Sequence, residues 1–166
     1  MNHKIHDNFL LKSDFKKVQE FMMGPYFPWY YNSGVMGDGH DEEEFQFTHI
    51  FYNFWKPESS YIKELSPLFE KIDPKAWIRI KANLTTKTTE HKETGFHTDF
   101  EFPCTTAIFY LNDTNGYTLF EDGTKVESVA NRLVEFDSSL KHSGVTHTDE
   151  KVRVLINMNY FKEGGK

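Results

Sequence analysis

The period of the apolar residues changes at Pro74, and this change constrains the fold more than any other feature of the sequence. Upstream, apolar residues recur about every third or fourth position, which is the spacing of one helix face. Downstream, apolar and polar residues alternate, as in WIRIKANLTT at 77–86. Alternation of this kind is typical of a strand with one apolar face. The sequence therefore predicts helices in the first half of the chain and strands in the second.

Two helices are predicted before the change. The first begins at Ser13, a residue type that favours the N-cap position, and ends before Gly24. The second follows Pro57, ends before Pro74 and carries one apolar stripe, formed by Ile62, Leu65, Leu68, Phe69 and Ile72. Between the two helices, the segments FPWYYN, DGHDEEE and FQFTHIFY indicate irregular chain with a strand or two.

The second half of the chain reads as a series of short strands. The candidate segments after residue 86 are FHTDFEF, TTAIFYLN, YTLFEDG, KVESV, RLVEFD and VRVLINMNYF. Turn residues separate them at 112–116, 122–123 and 137–139. About seven or eight strands at this density favour a mainly β, antiparallel jelly roll, with the N-terminal helices packed on an outer sheet face. We expect a single domain over 1–166, with a helical support region at 1–76 and the jelly-roll core at 77–161.

Charge and hydropathy exclude two classes of partner. The formal net charge is −6, and no cluster of lysine and arginine marks a nucleic-acid surface. The apolar runs are only a few residues long, and the first residues, MNHKIHDNFL, resemble neither a secretory leader nor a membrane anchor. We expect a soluble, cytoplasmic protein without a membrane partner or a direct nucleic-acid partner.

The segment FHTDF carries the first candidate site residues. On an extended chain, His97 and Asp99 share one face, whereas Phe96, Thr98 and Phe100 share the other. A simple contact between a histidine and an aspartate on an edge strand would explain this triplet as well as a metal site would. The triplet alone therefore leaves both interpretations open.

A second histidine and an arginine downstream favour the metal interpretation. In a jelly roll, the chain after His97 can turn back and place His142 opposite it. Two histidines and one carboxylate form the facial triad of non-haem iron oxygenases. Arg153 lies in the inward-facing row of the last predicted strand, with Leu155, Asn157 and Asn159. A buried guanidinium is costly without a carboxylate partner, and a dicarboxylate cosubstrate would supply one.

The order of these blocks resembles a known family. GFHTD, TTAIFYLND, GYTLFEDG, NRLVEFDSSLKHSGV and VRVLINMNYF are similar, in type and order, to the 2-oxoglutarate and Fe(II)-dependent dioxygenases. Within that family they look like the prolyl 4-hydroxylase-like branch, including the short single-domain proteins of bacteria and viruses. The resemblance covers 77–161. It implies a double-stranded β-helix, Fe(II), 2-oxoglutarate and O2 as cosubstrates, and hydroxylation of a C–H bond with release of succinate and CO2.

The resemblance also implies a role for each matching residue. Iron would be held by His97, Asp99 and His142. Arg153 would bind the distal carboxylate of 2-oxoglutarate, and Tyr110 would donate a hydrogen bond to it. Asn83 or Lys81 would lie near the chelating end. The substrate would be a prolyl or other residue of a protein or peptide, or a small molecule.

Several points depart from the family pattern or stay open. Leu155 stands two residues after Arg153, where a polar residue is common, so that Tyr110 or Asn157 would have to supply a second hydrogen bond. The polar segment at 85–95 would be either a lid or a plain solvated loop, and the loops 32–46 and 85–95 would select the substrate. His147 is an alternative ligand to His142, and His91 is a more remote one. His49 could face the mouth of the site.

Two other functions remain compatible with the sequence. A non-catalytic, cupin-like protein that binds a metal or small ligand would need the histidines but not Arg153. A scaffold protein would need neither, and FHTDF would then be a surface pair. Iron binding and succinate production distinguish the three.

Overall fold

The computed structural model describes residues 3–34 and 45–162, and these form two antiparallel sheets with two α-helices. The helices are α1 Lys12–Met22 and α2 Ser66–Ile72, the second preceded by a 3-10 helix at Ser60–Leu65. The strands are β1 His3–His6, β2 Tyr30–Asn32, β3 Gln46–Asn53, β4 Lys56–Pro57, β5 Ala76–Thr86, β6 Thr105–Tyr110, β7 Thr114–Phe120, β8 Lys125–Ser128, β9 Leu133–Asp137, β10 His142–Val145 and β11 Val152–Phe161.

The larger sheet has eight strands, in the order β1-β9-β6-β11-β5-β3-β2, with β4 paired to β3. The smaller sheet has the order β10-β7-β8. Every strand pair in both sheets is antiparallel. This is the predicted mainly β architecture.

The central strands of the larger sheet present one face to the helices and the other to the smaller sheet. Residues on the outer face, such as Ile80, Phe109 and Ile156, pack with Val18 of α1 and Leu68 of α2 in the larger apolar core. The opposite face contributes to a second, smaller core between the sheets, formed by Ile108, Tyr110, Phe120, Val126, Val134 and Phe136. The alternation seen in the sequence is therefore the alternation between these two layers, and the helices cover an outer sheet face as predicted.

The first half of the chain contains more strand than predicted. Strands β1 to β4 all belong to the larger sheet, so residues before 77 are more than a helical support. Helix α1 begins at Lys12 with Leu11 at its N-cap, which makes no side-chain cap, and the predicted cap Ser13 lies inside the first turn. No helix in the described residues is long and apolar enough to cross a membrane.

The prediction of a strand at FHTDFEF is wrong. Residues 96–102 form no strand, and only His97 makes an isolated bridge, to His142. Phe96 is 42% exposed rather than buried in a core. Strand β10, which carries His142, was not predicted.

Candidate metal centre

The two histidines face each other because their backbones are paired. His97 N–H donates to the His142 carbonyl and His142 N–H donates to the His97 carbonyl, both at 3.0 Å. Directly paired residues of antiparallel chains place their side chains next to each other on the same face. The ring centroids are accordingly 4.6 Å apart.

Backbone carbonyls fix the orientation of both rings. Nδ1 of His142 lies 3.0 Å from the Leu140 carbonyl oxygen, and Nδ1 of His97 lies 3.3 Å from that of Gly95. Since a carbonyl only accepts hydrogen bonds, each Nδ1 is the donor, and in the neutral form of either ring Nε2 then carries the lone pair. Burial also lowers the pKa of His142, against the opposing effect of Asp99, and so favours the neutral ring that binds a metal.

Asp99 completes the cluster and is held by four side chains. Its carboxylate is 4% exposed and pairs with Arg79 Nη2 at 2.9 Å. Its other hydrogen-bond donors are Thr106 at 3.0 Å, Asn159 at 3.0 Å and Asn157 at 3.2 Å. Burial alone would raise the pKa of Asp99, but the Arg79 charge, helped by His142 and the two amides, holds it below its ordinary value. Asp99 is therefore ionised, and its carboxylate can bind a metal cation.

One potential ligand atom each from His97, Asp99 and His142 lies within 4.8 Å of the other two. Within residues 3–34 and 45–162, no other group of three or more histidine, cysteine or acidic side chains comes this close. The structure thus brings together the three residues that the sequence predicted as candidate ligands.

The competing histidines lie elsewhere. His147 is fully buried but outside the cluster, and neither of its ring nitrogens has a hydrogen-bond partner among residues 3–34 and 45–162. His91 is exposed, and its Nδ1 bonds the Thr146 carbonyl at 2.6 Å. His49 does not face the mouth of the site, because it points toward the helices, between the Pro28 carbonyl and the Ser59 hydroxyl.

The triad opens into a cavity of about 310 Å³ between the two sheets. The inward row of β5 lines it with Arg79, Lys81, Asn83 and Thr85. Arg153, Leu155 and Asn157 of β11 line the neighbouring wall. Among the described lining residues, Asp99 is the only acid, whereas arginine and lysine contribute three cations.

Arg153 lies at the far end of this cavity, and no acidic side chain of the described lining residues pairs with it. It is 5% exposed, and neither Nε nor Nη2 has a hydrogen-bond partner. Its guanidinium carbon lies 5.5 Å from the centre of the Tyr110 ring. The Tyr110 hydroxyl is within 2.8 Å of Thr118 Oγ1, and Thr118 lines the cavity. The predicted neighbours Arg153 and Tyr110 are thus together.

The two predicted residues of β5 lie between the triad and Arg153. Lys81 and Asn83 both line the cavity, and Asn83 Oδ1 is buried without a partner. Burial lowers the pKa of Lys81, and the nearby Arg79 charge lowers it further, while Asp99 opposes the shift. The structure therefore brings both candidates into the site.

Sequence reasoning missed the partners of Asp99. Arg79 and Thr106 received no role, and Asn157 was considered only as a donor to a cosubstrate, whereas its amide contacts Asp99. The signal for Arg79 was present, because it shares the polar face of β5 with Lys81 and Asn83. What the sequence could not supply was the path of the segment that carries Asp99.

The polar segment before the triad is attached along β10 rather than standing free. Glu93 forms an isolated bridge with Val145, and Thr94 N–H donates to the Gly144 carbonyl at 2.9 Å. Thr88 and Thr146 join side chains at 2.8 Å. Most of the other predicted substrate loop, 32–46, lies outside the described residues.

Sequence and structure comparisons give different amounts of information. No protein-family model matches the chain, and the search of curated proteins gives no significant match. Solved structures do match. A prolyl hydroxylase from Trichoplax adhaerens, in complex with a hypoxia inducible factor oxygen degradation domain peptide, has a TM-score of 0.73 at 14% identity. The match covers 97% of this chain and 84% of the hydroxylase.

Two further structures show the breadth of the fold. An oxidoreductase of the 2OG-Fe(II) oxygenase family from Burkholderia pseudomallei has a TM-score of 0.70 at 11% identity, over 99% of this chain and 87% of the other. The epimerase SnoN, in complex with Fe3+, alpha ketoglutarate and nogalamycin RO, has a TM-score of 0.63 at 10% identity, over 97% and 79%. At these identities the likeness establishes the fold. The chain has the jelly-roll fold of the 2-oxoglutarate and Fe(II) oxygenases, which confirms the predicted fold.

Proposed function

We propose that the protein is an Fe(II)- and 2-oxoglutarate-dependent dioxygenase that hydroxylates a C–H bond, with release of succinate and CO2. The observation that carries this proposal is a single cavity with a candidate metal-binding triad at one end and, at the other, a buried arginine that has no acidic partner among the described lining residues. Neither feature alone would select this chemistry. Together they fit a metal and a cosubstrate that chelates it and ends in a carboxylate.

The donor set fits Fe(II). Two neutral imidazoles and one carboxylate, from His97, His142 and Asp99, are the facial ligands that leave further coordination positions open. Both Nδ1 atoms are engaged with backbone carbonyls, which fixes the tautomer that offers Nε2 to the metal. Iron bound here would supply activation of O2 and the oxidising power for C–H hydroxylation.

The charge of the cavity fits 2-oxoglutarate. Arg79 pairs with Asp99, which leaves Lys81 and Arg153 without an acidic partner among the described lining residues. A dianion with a carboxylate at each end balances these two charges. The guanidinium of Arg153 offers Nε and Nη2, the pair that binds a carboxylate in bidentate fashion.

The neighbouring residues would position this ligand. Tyr110, held by Thr118, would donate its hydroxyl proton to the carboxylate on Arg153. Burial raises the pKa of Tyr110, so the hydroxyl stays protonated and able to donate. Lys81 and Asn83 would contact the chelating end, where the side chain of Lys81 would attract the carboxylate.

The proposed substrate is a prolyl or other residue of a protein or peptide, as suggested by the prolyl hydroxylase from Trichoplax adhaerens, whose structure is a complex with a peptide fragment. The proposed location is the cytoplasm. A non-catalytic, cupin-like binding protein is less well supported, because it gives no reason to bury an unpaired arginine.

The test is a turnover assay with Fe(II), 2-oxoglutarate and O2 in the presence of a peptide library that includes proline-containing peptides. We expect succinate to form in proportion to a peptide product that has gained one oxygen atom. His142→Ala should abolish both signals. Iron and 2-oxoglutarate binding without succinate under any of these conditions would favour the binding protein instead.

A substitution at Gly116 tests the Arg153 end of the site without removing a polar group. A Cβ atom at this position would lie 3.0 Å from Arg153 Cδ, 3.0 Å from the Val145 carbonyl oxygen and 3.1 Å from His147 Cβ. Gly116→Ala should therefore displace the Arg153 side chain and raise the KM for 2-oxoglutarate by roughly tenfold, about the value of one hydrogen bond to a charged group. Affinity for Mn2+ at the triad serves as the internal control and should stay unchanged. An unaltered KM would show that Arg153 does not depend on this packing.

A further inference from the structure

Three of the four side chains that hold Asp99 form one rung across three strands, and the fourth, Asn157, lies two residues before Asn159 on β11. Arg79 of β5 pairs in register with Asn159 of β11, and Asn159 pairs in register with Thr106 of β6. Their side chains are also linked, since Arg79 Nε donates to Asn159 Oδ1 at 3.1 Å and Asn159 Nδ2 donates to Thr106 Oγ1 at 3.0 Å. The rung therefore acts as one rigid cradle for the carboxylate of Asp99.

The cradle treats the two carboxylate oxygens differently. Oδ2 accepts hydrogen bonds from three neutral donors, on Thr106, Asn159 and Asn157, at 3.0 to 3.2 Å. Oδ1 accepts from the Arg79 cation at 2.9 Å and has only a long 3.5 Å contact to Asn157. Since an oxygen of this kind has two lone pairs, Oδ2 is saturated and Oδ1 retains one.

We propose that Arg79 is a positioning residue that shares Asp99 Oδ1 with the metal and thereby sets the metal affinity of the triad. In the metal-free protein, the guanidinium is the counter-ion of Asp99 and holds the Asp99 carboxylate in a fixed orientation. In the metal-bound protein, two cations meet at one oxygen and repel each other. This inference rests on the proposed function for the metal, but not on the identity of the substrate.

Arg79 affects the metal affinity of the triad in two opposite ways. The larger effect decides whether affinity rises or falls when Arg79 is replaced. Loss of a hydrogen bond to a metal ligand typically weakens metal binding by about 10- to 100-fold. A full positive charge on the same oxygen as a divalent ion opposes binding by more than that, because the Asp99 carboxylate between them is only 4% exposed and poorly screened. Arg79→Gln keeps a donor and removes the charge, so binding should become tighter.

The position of Arg79 outside the triad makes this arrangement stable without metal. Its side chain is 25% exposed, and its guanidinium carbon lies 5.2 Å from the centre of the Phe100 ring. Phe100 directly follows Asp99, so this cation–π contact holds the guanidinium beside its carboxylate partner. Asp99 and Phe100 thus hold the Arg79 side chain in position without a bound metal.

The test is the dissociation constant of Mn2+, measured from the electron paramagnetic resonance signal of the free ion. We expect Arg79→Gln to bind Mn2+ at least about tenfold more tightly than the wild type. Arg79→Met, a second neutral variant that can still pack on Phe100, should change in the same direction. Arg79→Lys, which keeps the charge, should stay close to the wild type.

Two matched variants test whether the change in Mn2+ affinity is specific to the charge that Arg79 places on Asp99. Lys81→Gln removes a cavity charge that makes no bond to Asp99, and its effect should be clearly smaller than that of Arg79→Gln. Thr106→Val removes a neutral donor to Oδ2 at nearly constant shape, and its affinity should fall, by about tenfold. Tighter Mn2+ binding in Arg79→Gln together with weaker Mn2+ binding in Thr106→Val would support the inference.

The possible failures are distinguishable. Wild-type protein that binds Mn2+, with Arg79→Gln and Arg79→Met binding no more tightly, would overturn the role of Arg79 and leave the proposed function intact. Binding by neither wild type nor neutral variants would overturn the metal site and both proposals. Binding by the neutral variants alone would show that Arg79 blocks the site, which is the same inference at its extreme.

Discussion

Asp99→Ala is expected to abolish iron-dependent turnover and to destabilise the metal-free protein as well. The substitution removes one of three candidate ligands and leaves the charge of Arg79 and the donors of Thr106, Asn157 and Asn159 without their acceptor. We expect the free energy of unfolding to fall by about 1–3 kcal/mol, less than for a fully buried pair, because Arg79 is partly exposed. Urea denaturation and Mn2+ titration measure the two effects.

Glu101→Ala is the matched control for this substitution. Glu101 is an exposed carboxylate two residues further along the same segment and does not line the cavity. Its removal should change neither stability nor turnover. Full turnover in Asp99→Ala would contradict the assignment of the triad.

Arg153→Met is expected to stabilise the ligand-free protein while it disables the cosubstrate site. The wild-type guanidinium is buried and two of its nitrogens have no hydrogen-bond partner, so an apolar side chain of similar length should raise the free energy of unfolding by about 1–3 kcal/mol. The same change removes a bidentate partner for a carboxylate. The KM for 2-oxoglutarate should therefore rise roughly 100-fold or more.

Arg132→Met makes the same chemical change, but we expect different results for stability and for the KM for 2-oxoglutarate. Arg132 is 18% exposed and pairs with both Asp7 oxygens, at 2.6 Å and 3.1 Å. Its replacement should destabilise the protein and leave the KM for 2-oxoglutarate unchanged. Arg153→Met would contradict the account if it lowered stability as Arg132→Met does, because Arg153 would then be a structural residue. An unchanged KM would contradict it equally.

The parts of the fold that the sequence predicted are those with a clear local pattern. Strand β11 spans Val152–Phe161, the whole of the predicted segment VRVLINMNYF, because an apolar or aromatic residue recurs at every second position from Val152 to Tyr160. The row that begins at Arg153 was predicted to face inward, and Arg153, Leu155 and Asn157 of this row line the cavity. Alternation of this kind depends only on the strand period, which is why it can be read from one sequence.

Other elements were missed because their local sequence argues against them. The hairpin between β3 and β4 turns at Phe54 and Trp55, whose φ angles are 41° and 75°. Turns of this type usually carry asparagine and glycine, since bulky residues rarely adopt a positive φ. No turn signal therefore marks β4. The four residues of β10 are similarly too short to show a period.

The sequence predicted which three side chains cluster at the candidate site, but it did not predict the residues that hold them there. His97 and Asp99 were expected to share a strand face, yet they lie on irregular chain, and the backbone pairing of His97 with His142 is what brings the histidines together. The cradle around Asp99 joins three strands that are distant in sequence. Such contacts depend on register between strands, which a single sequence does not contain.

The most direct test of the central claim is an anaerobic titration of metal-free protein with Fe(II) and then 2-oxoglutarate, followed by visible absorption. The account predicts the weak charge-transfer band of a chelated 2-oxo acid, absent in His142→Ala and weakened in Arg153→Met. Iron bound without the band would contradict the dioxygenase and favour a metal-binding protein. No iron binding at all would mean that His97, Asp99 and His142 are only a polar cluster between two sheets.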